Sequence, residues 1–271
     1  MAVPLESNDP HIKLYTFGTP NGQKVSITLE ELGLKYETHS VDISKNIQKE
    51  EWFLKINPNG RIPAIVDCTP GPDGKAREKR VFDGGSIMLY LIQKYDQEGK
   101  ISFPFDTDEY WEMVEWLMWM QTGIGPMQGQ ANHFYRYAPE KIPYGINRYQ
   151  NETKRLYQVL DTRLAAQKAA NGMTNSGPWI VGDKMTIADL ACFSWVNWAE
   201  WAGIDVAEFK NVKDWQDRIN ARPAVQRGLD VPEPFEMKKK MQSKAGEEEF
   251  ANMHSQWIMQ GQKEEEEKAK K

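Results

Sequence analysis

The chain has 271 residues and a mass of 31.3 kDa, with 40% apolar residues, enough for about two domains with sizeable cores. Its 34 Lys and Arg against 39 Asp and Glu leave a formal charge of −5 and a pI near 5.6, a poor basis for binding nucleic acid by phosphate neutralisation. No apolar run reaches the ~18 residues that a membrane span needs, and the stretch 1–11 has no apolar core of a secretory signal. Two cysteines, Cys68 and Cys192, are too few for a disulfide scaffold or a zinc site. The four histidines show no metal-ligand spacing, so no metal is expected. These features together predict a protein of a reducing, cytoplasmic compartment without nucleic-acid or membrane partners.

In chain order, residues 12–17 alternate and break at Gly18, which reads as a strand. Thr19-Pro20-Asn21-Gly22 is a turn that opens a helix. Within that helix Val25, Thr28, Leu29 and Leu32 recur at i, i+3, i+4, i+7 as one buried face, and Gly33 caps its end. A second strand is predicted over 36–43, with His39, Val41 and Ile43 on one face, and a helix over 48–55. Short strands follow at 62–66 and 80–82, joined by a connector holding Pro70, Gly71, Pro72, Asp73 and Gly74. A helix over 87–95 completes the order β-α-β-α-β-β-α, which predicts a mixed four-stranded sheet with helices on both sides.

Beyond a linker the strand pattern disappears. Helices are expected over 107–121, 144–168, 190–201 and 211–222, the third opened by the capping-box-like Thr186-Ile187-Ala188-Asp189. The domain organisation is therefore an extension at 1–11, an α/β domain at 12–96, a linker at 97–106, an all-α domain at 107–232 and a charged extension at 233–271. In that last segment the apolar cluster Trp257-Ile258-Met259 interrupts blocks of Lys and Glu, and is expected to dock part of it.

Five blocks carry a family signature: Gly18-Thr19-Pro20-Asn21-Gly22-Gln23-Lys24, Asn57-Pro58-Asn59-Gly60-Arg61-Ile62-Pro63-Ala64, Gly125-Pro126-Met127, Pro143-Tyr144-Gly145-Ile146-Asn147-Arg148 and Arg222-Pro223-Ala224-Val225-Gln226-Arg227-Gly228. In this order they resemble the nu-class branch of the glutathione transferase superfamily, which holds bacterial disulfide-bond reductases and fungal relatives. The resemblance runs from about Lys13 to Leu229. It implies an α+β thioredoxin-like domain followed by an all-α domain, a homodimer, and glutathione as cofactor: one or two molecules per subunit, or the disulfide.

Glutathione chemistry needs the thiolate, because only that form is the nucleophile. A free thiol with a pKa near 8.5 is mostly protonated at neutral pH, and a helix N-terminus favours its ionised form. The resemblance assigns that role to Thr19 and Asn21. Read alone, both residues merely cap a helix. The turn holds neither Cys nor Ser, so the reactive sulfur must come from bound glutathione. Tyr15 reads as packing within its strand, Ser26 receives no catalytic role, and Cys68 and Cys192 read as structural.

The resemblance further implies a cis-proline at Pro63 that leaves the backbone of Ile62 to the cysteinyl part of glutathione. It places Gln48 and Arg61 at the glycyl end, where an Arg fork suits a carboxylate, and Asp83 and Gly84 at the γ-glutamyl end. Gly84 departs from the family, which carries a hydroxyl there. The loss of one charge-assisted hydrogen bond, roughly 1.5–3 kcal/mol, is expected to weaken that site. Gln121 and Arg148 match the positions of a second glutathione, although Arg148 alone reads as a surface arginine. Two adjacent thiols form a ready dithiol. The leading functional expectation is a glutathione-dependent disulfide-bond reductase acting on small thiols and disulfides, with organic peroxides as further substrates. The alternatives are a transferase conjugating electrophiles and a regulatory protein that kept the fold.

Overall fold

The structure, a computed structural model, describes residues 10–71, 74–171 and 177–269. The first domain runs β1 (Ile12–Thr16), α1 (Pro20–Leu32), β2 (Tyr36–Ser40), two 3-10 turns (Ile43–Lys45 and Ile47–Lys49), α2 (Glu51–Leu54), β3 (Ala64–Asp67), β4 (Lys79–Phe82) and α3 (Gly84–Tyr95). The sheet order is β2-β1-β3-β4, with β1 parallel to β2 and antiparallel to β3, and β3 antiparallel to β4. Strand alternation divides the side chains: Ile12, Leu14 and Ile65 join Val25, Leu29, Ile87 and Leu91 on one face, while Tyr15 and Ala64 meet Val41 and Phe53 of the α2 segment on the other. Helices therefore lie on both sides, as the β-α-β-α-β-β-α order predicted.

Several boundaries differ from the sequence expectation. The helix expected over 48–55 is a 3-10 turn at Ile47–Lys49 followed by α2, and the strand expected over 62–66 starts at Ala64. β2 ends at Ser40, not at 43, because Asp42 accepts from the Ser44 N–H at 3.0 Å and winds the chain into a 3-10 turn. α3 starts at Gly84, three residues before 87, since Asp83 caps it by accepting from the N–H groups of Gly85 and Ser86. The apolar run expected as one helix over 190–201 divides into α7 (Ile187–Val196) and a 3-10 turn (Ala199–Ala202).

The helical domain comprises α4 (Asp108–Trp119), α5 (Gly125–Asn132), α6 (Pro143–Asn171), α7, α8 (Lys210–Asn220) and α9 (Pro223–Leu229). Wider π turns, Met120–Ile124 and His133–Tyr137, lie on either side of α5. α1 joins the two domains. Gln23 donates to the Leu229 carbonyl at 3.2 Å and accepts from Trp198 Nε1 at 2.8 Å, and Ser26 donates to the Gly228 carbonyl at 2.6 Å. A side chain on Gly228 would stand 2.6 Å from Ile27 Cα, so the α1–α9 contact requires glycine there.

The charged extension forms α10 (Met237–Lys240) and α11 (Lys244–Ala269). It docks through Met237 and Phe250, which bury against Trp198 and Trp201. α11 also packs on the 3-10 turn Ile43–Lys45 and on the π turn His133–Tyr137, bridging the two domains. The side chains of Trp257, Ile258 and Met259, expected to do the docking, lie outside the described residues, as do residues 1–9 of the N-terminal extension. Among the described residues no helix is long and apolar enough to cross a membrane.

Candidate active site

A cavity of about 500 Å³ opens between the two domains. The first domain contributes the start of α1, the loop before β3 and the start of α3. Thr19 is the N-cap of α1, with its hydroxyl accepting from the Gly22 N–H at 3.1 Å. That leaves the hydroxyl's own hydrogen to donate. Pro20 follows at the first helical position and no acidic residue lies in the first turn, so the positive end of the helix is not neutralised locally. A Cβ on Gly22 would stand 2.2 Å from the Phe17 carbonyl oxygen, so the helix start approaches β1 this closely only with glycine. Asn21 lines the cavity beside these groups.

The loop before β3 is built by Asn57. Its amide donates to the Arg61 carbonyl at 2.6 Å, and its oxygen accepts from the Asn59 N–H at 2.9 Å. The loop presents Arg61, Ile62 and Pro63 to the cavity, with the Ile62–Pro63 peptide bond cis. Partial burial lowers the Arg61 pKa from its ordinary value. Gln48 is 1% exposed. Its amide donates to Asn46 at 3.0 Å, while its buried Oε1 has no hydrogen-bond partner among the described residues.

At the α3 end, Asp83 adopts φ 68° and ψ 127°. Gln121, from the first π turn, donates to Asp83 Oδ1 at 3.0 Å and accepts from Lys24 Nζ at 2.5 Å. Burial lowers the Lys24 pKa to about 8, against the opposing pull of Asp83. The helical domain adds Asn132, Tyr137, Trp195 and Trp198 to the far wall. Trp201 Nε1 donates to the Tyr137 hydroxyl at 2.7 Å, and burial pushes that phenol's pKa upward. The buried Asn132 Oδ1 has no hydrogen-bond partner among the described residues.

Nine residues singled out in the sequence therefore line one cavity: Thr19, Asn21, Gln48, Arg61, Ile62, Pro63, Asp83, Gly84 and Gln121. Arg148 does not. It sits on α6, 54% exposed, with its guanidinium 4.0 Å from Glu152. Gln121 bonds Asp83, so it stands at the α3 end of the cavity and not apart from it. Lys24, Asn132 and Tyr137 escaped the sequence reading. Lys24 stood in a quoted motif, but a lysine inside a helix gives no sign of being buried.

Neither cysteine lines the cavity: Cys192 is buried in α7 with its thiol pKa pushed well up, and Cys68 follows β3. Tyr15 stacks on His39 at 4.6 Å, and Ser26 is spent on the α1–α9 contact. No group of three or more His, Cys, Asp or Glu among the described residues could hold a metal ion.

The cavity thus combines an uncovered helix start, a backbone edge beside an arginine, and a paired cation and anion. A peptide with a thiol, a terminal carboxylate and an α-amino-acid head meets each of these features, and the unpartnered Gln48 Oε1 offers an acceptor to one of its N–H groups. Such a cleft between a thioredoxin-like and a helical domain defines a glutathione-using class of protein.

The comparisons with known proteins agree. The glutathione S-transferase N-terminal domain family matches residues 19–94 and the C-terminal domain family residues 133–223. The disulfide-bond oxidoreductase YfcG of Escherichia coli is 42% identical over 218 residues, covering 80% of this chain and 94% of that protein. A glutathione transferase homologue from Lodderomyces elongisporus, solved with two glutathiones per subunit, is 45% identical with a TM-score of 0.76, over 82% of this chain and 98% of that one. The nitrogen regulation fragment of the yeast prion protein Ure2p is 34% identical with a TM-score of 0.74, over 85% of this chain and 99% of that one. The chain belongs to the glutathione S-transferase family.

Proposed function

We propose that the protein is a glutathione-dependent disulfide-bond reductase. The observation that carries this reading is the uncovered α1 start in a cavity without a cysteine: Thr19 and Asn21 are present to hold a thiolate, and neither Cys68 nor Cys192 lines the cavity to supply one. Bound glutathione supplies the sulfur that exchanges with a disulfide, two equivalents giving one glutathione disulfide and two reduced thiols. The protein's part is to bind and ionise it. Thr19 donates its hydroxyl hydrogen, Asn21 its amide, and the first turn of α1 its partial positive charge. Ile62 offers backbone groups to the cysteinyl part, Arg61 and Gln48 hold the glycyl end, and Asp83 takes the γ-glutamyl ammonium. Gln121 and Arg148 belong to this proposal as the second-glutathione positions, Gln121 from within the cavity and Arg148 from its place on α6. Organic peroxides fit as further substrates by a different step: one glutathione thiolate attacks the O–O bond and releases the alcohol, and the second thiol condenses with the resulting sulfenic acid to give glutathione disulfide and water.

The reading includes a homodimer, supported by an exposed aromatic pair, Phe105 and Trp111, 6.3 Å apart between ring centroids. Sedimentation equilibrium returning twice 31.3 kDa checks it.

The test of function mixes the protein with reduced glutathione and hydroxyethyl disulfide. Turnover is expected to survive Cys68→Ser with Cys192→Ala, and to fall about 100-fold in Asn21→Ala, as for loss of one donor to a developing anion. Turnover that needs either cysteine overturns the mechanism. Conjugation of electrophiles faster than disulfide reduction points instead to a transferase, and glutathione binding without turnover to a regulatory protein.

A further inference from the structure

Lys24 lies inside α1 with 2% of its surface exposed. A buried ammonium is costly unless it is fully partnered, and it carries three donors. Its hydrogen-bond partner among the described residues is the Gln121 Oε1 at 2.5 Å. The end of the side chain lies where a side chain on residue 84 would stand: a Cβ there would be 2.6 Å from Lys24 Cε and 3.1 Å from Nζ. Gly84 therefore makes room for the cation at the cavity wall, which both residues line.

The same Gln121 amide donates to Asp83 Oδ1 at 3.0 Å. Its carbonyl rests on a cation and its NH₂ on an anion. An α-amino-acid head has the same polarity, with a carboxylate for the cation and an ammonium for the anion, and it carries full charges where the amide carries partial ones. Charge-assisted hydrogen bonds are about twice as strong as neutral ones, so such a head displaces the amide.

We infer that Lys24 and Asp83 recognise the α-amino-acid head of the first bound peptide, the Lys24 ammonium taking the α-carboxylate, and that Gln121 holds the two charges apart until that head displaces its amide and leaves it to the second-glutathione position. Gly84 on this account replaces a hydroxyl with a cation at the γ-glutamyl end. The inference rests on glutathione as the ligand and adds the group that selects for its γ-glutamyl carboxylate. The groups facing Lys24 are Asp83, whose charge favours the ammonium, and Cys192, whose thiol is kept neutral by burial.

The experiment measures calorimetric binding of S-methylglutathione, whose sulfur does not ionise, and of its analogue with 4-aminobutanoyl in place of γ-glutamyl, which lacks only the α-carboxylate. The wild-type protein is expected to prefer S-methylglutathione by about tenfold or more, the worth of one charge-assisted hydrogen bond. Lys24→Met is expected to erase that preference by weakening S-methylglutathione alone. A second arm uses the wild-type protein and involves no variant. Its preference should shrink as pH rises through about 8, where Lys24 loses its proton.

A Lys24→Met protein that keeps the wild-type preference overturns the inference, and so does a wild-type preference that is flat across that pH range. A wild-type protein that binds neither peptide removes the glutathione reading and this inference with it. Binding of both with equal affinity removes this inference alone.

Discussion

At the start of α7, Thr186 and Asp189 close on one another. The Thr186 N–H donates to Asp189 at 2.9 Å, the Thr186 hydroxyl accepts from the Ala188 N–H at 3.3 Å, and Asp189 also accepts from the Ile180 N–H and from Trp215 Nε1. At the starts of α1 and α3, Thr19 and Asp83 make similar capping bonds, but a cavity lies beyond them. The residue types nearly coincide and the surroundings differ. Where protein covers a helix start, each orphan N–H must find a protein partner and the cap serves stability. Where a cavity covers it, the remaining donors and the helix dipole are left for a ligand.

The largest expected effect lies on the covered side. Asp189→Ala leaves buried donors unpartnered at Ile180, Thr186 and Trp215, and should cost about 3–5 kcal/mol in urea unfolding, with glutathione affinity of the folded fraction unchanged. An affinity loss alone, at full stability, would break the comparison.

Next is a pH effect from the open side. Lys24 titrates near 8 when folded and 10.5 when unfolded. Between those values the unfolded chain holds a proton that the folded chain has lost, so stability should climb with pH through that window. The rise is roughly 3 kcal/mol for a pKa lowered from 10.5 to about 8. Comparison of wild type with Lys24→Met by chemical denaturation isolates it: the variant should lack the climb.

A smaller effect pairs the two threonines. Thr19→Ala and Thr186→Ala each remove a cap and should each cost about 1 kcal/mol, while only Thr19→Ala lowers turnover of hydroxyethyl disulfide. Equal turnover in the two variants would assign Thr19 to structure. The smallest is Gly84→Ala, whose Cβ must push the flexible end of Lys24 aside. Stability should hold, and affinity for S-methylglutathione should fall by less than in Lys24→Met.

Much of this was legible in the chain. Alternation at 12–17, the i, i+3, i+4, i+7 face of α1 and the loss of strand pattern after 106 predicted the mixed sheet and the helical domain, because burial on one face imposes those periods. The cluster Thr19, Asn21, Arg61, Pro63 and Asp83 was legible through motifs. The end of β2 was not, since Asp42 reads as a strand residue until its carboxylate turns back on Ser44. The division of the apolar run after Thr186 was hidden for a related reason: a run buried all round has no period to mark its breaks.

Local preferences written into neighbouring residues determined the order of the elements in the first domain and the turn at the head of α1, and the motif blocks determined the family. Only the tertiary structure decided what each cap faces, that Lys24 is buried against the space left by Gly84, and that Gln121 joins it to Asp83. Those relations link residues as far as 97 apart in the chain. They arise from the packing of α1 against both domains, which no local pattern encodes.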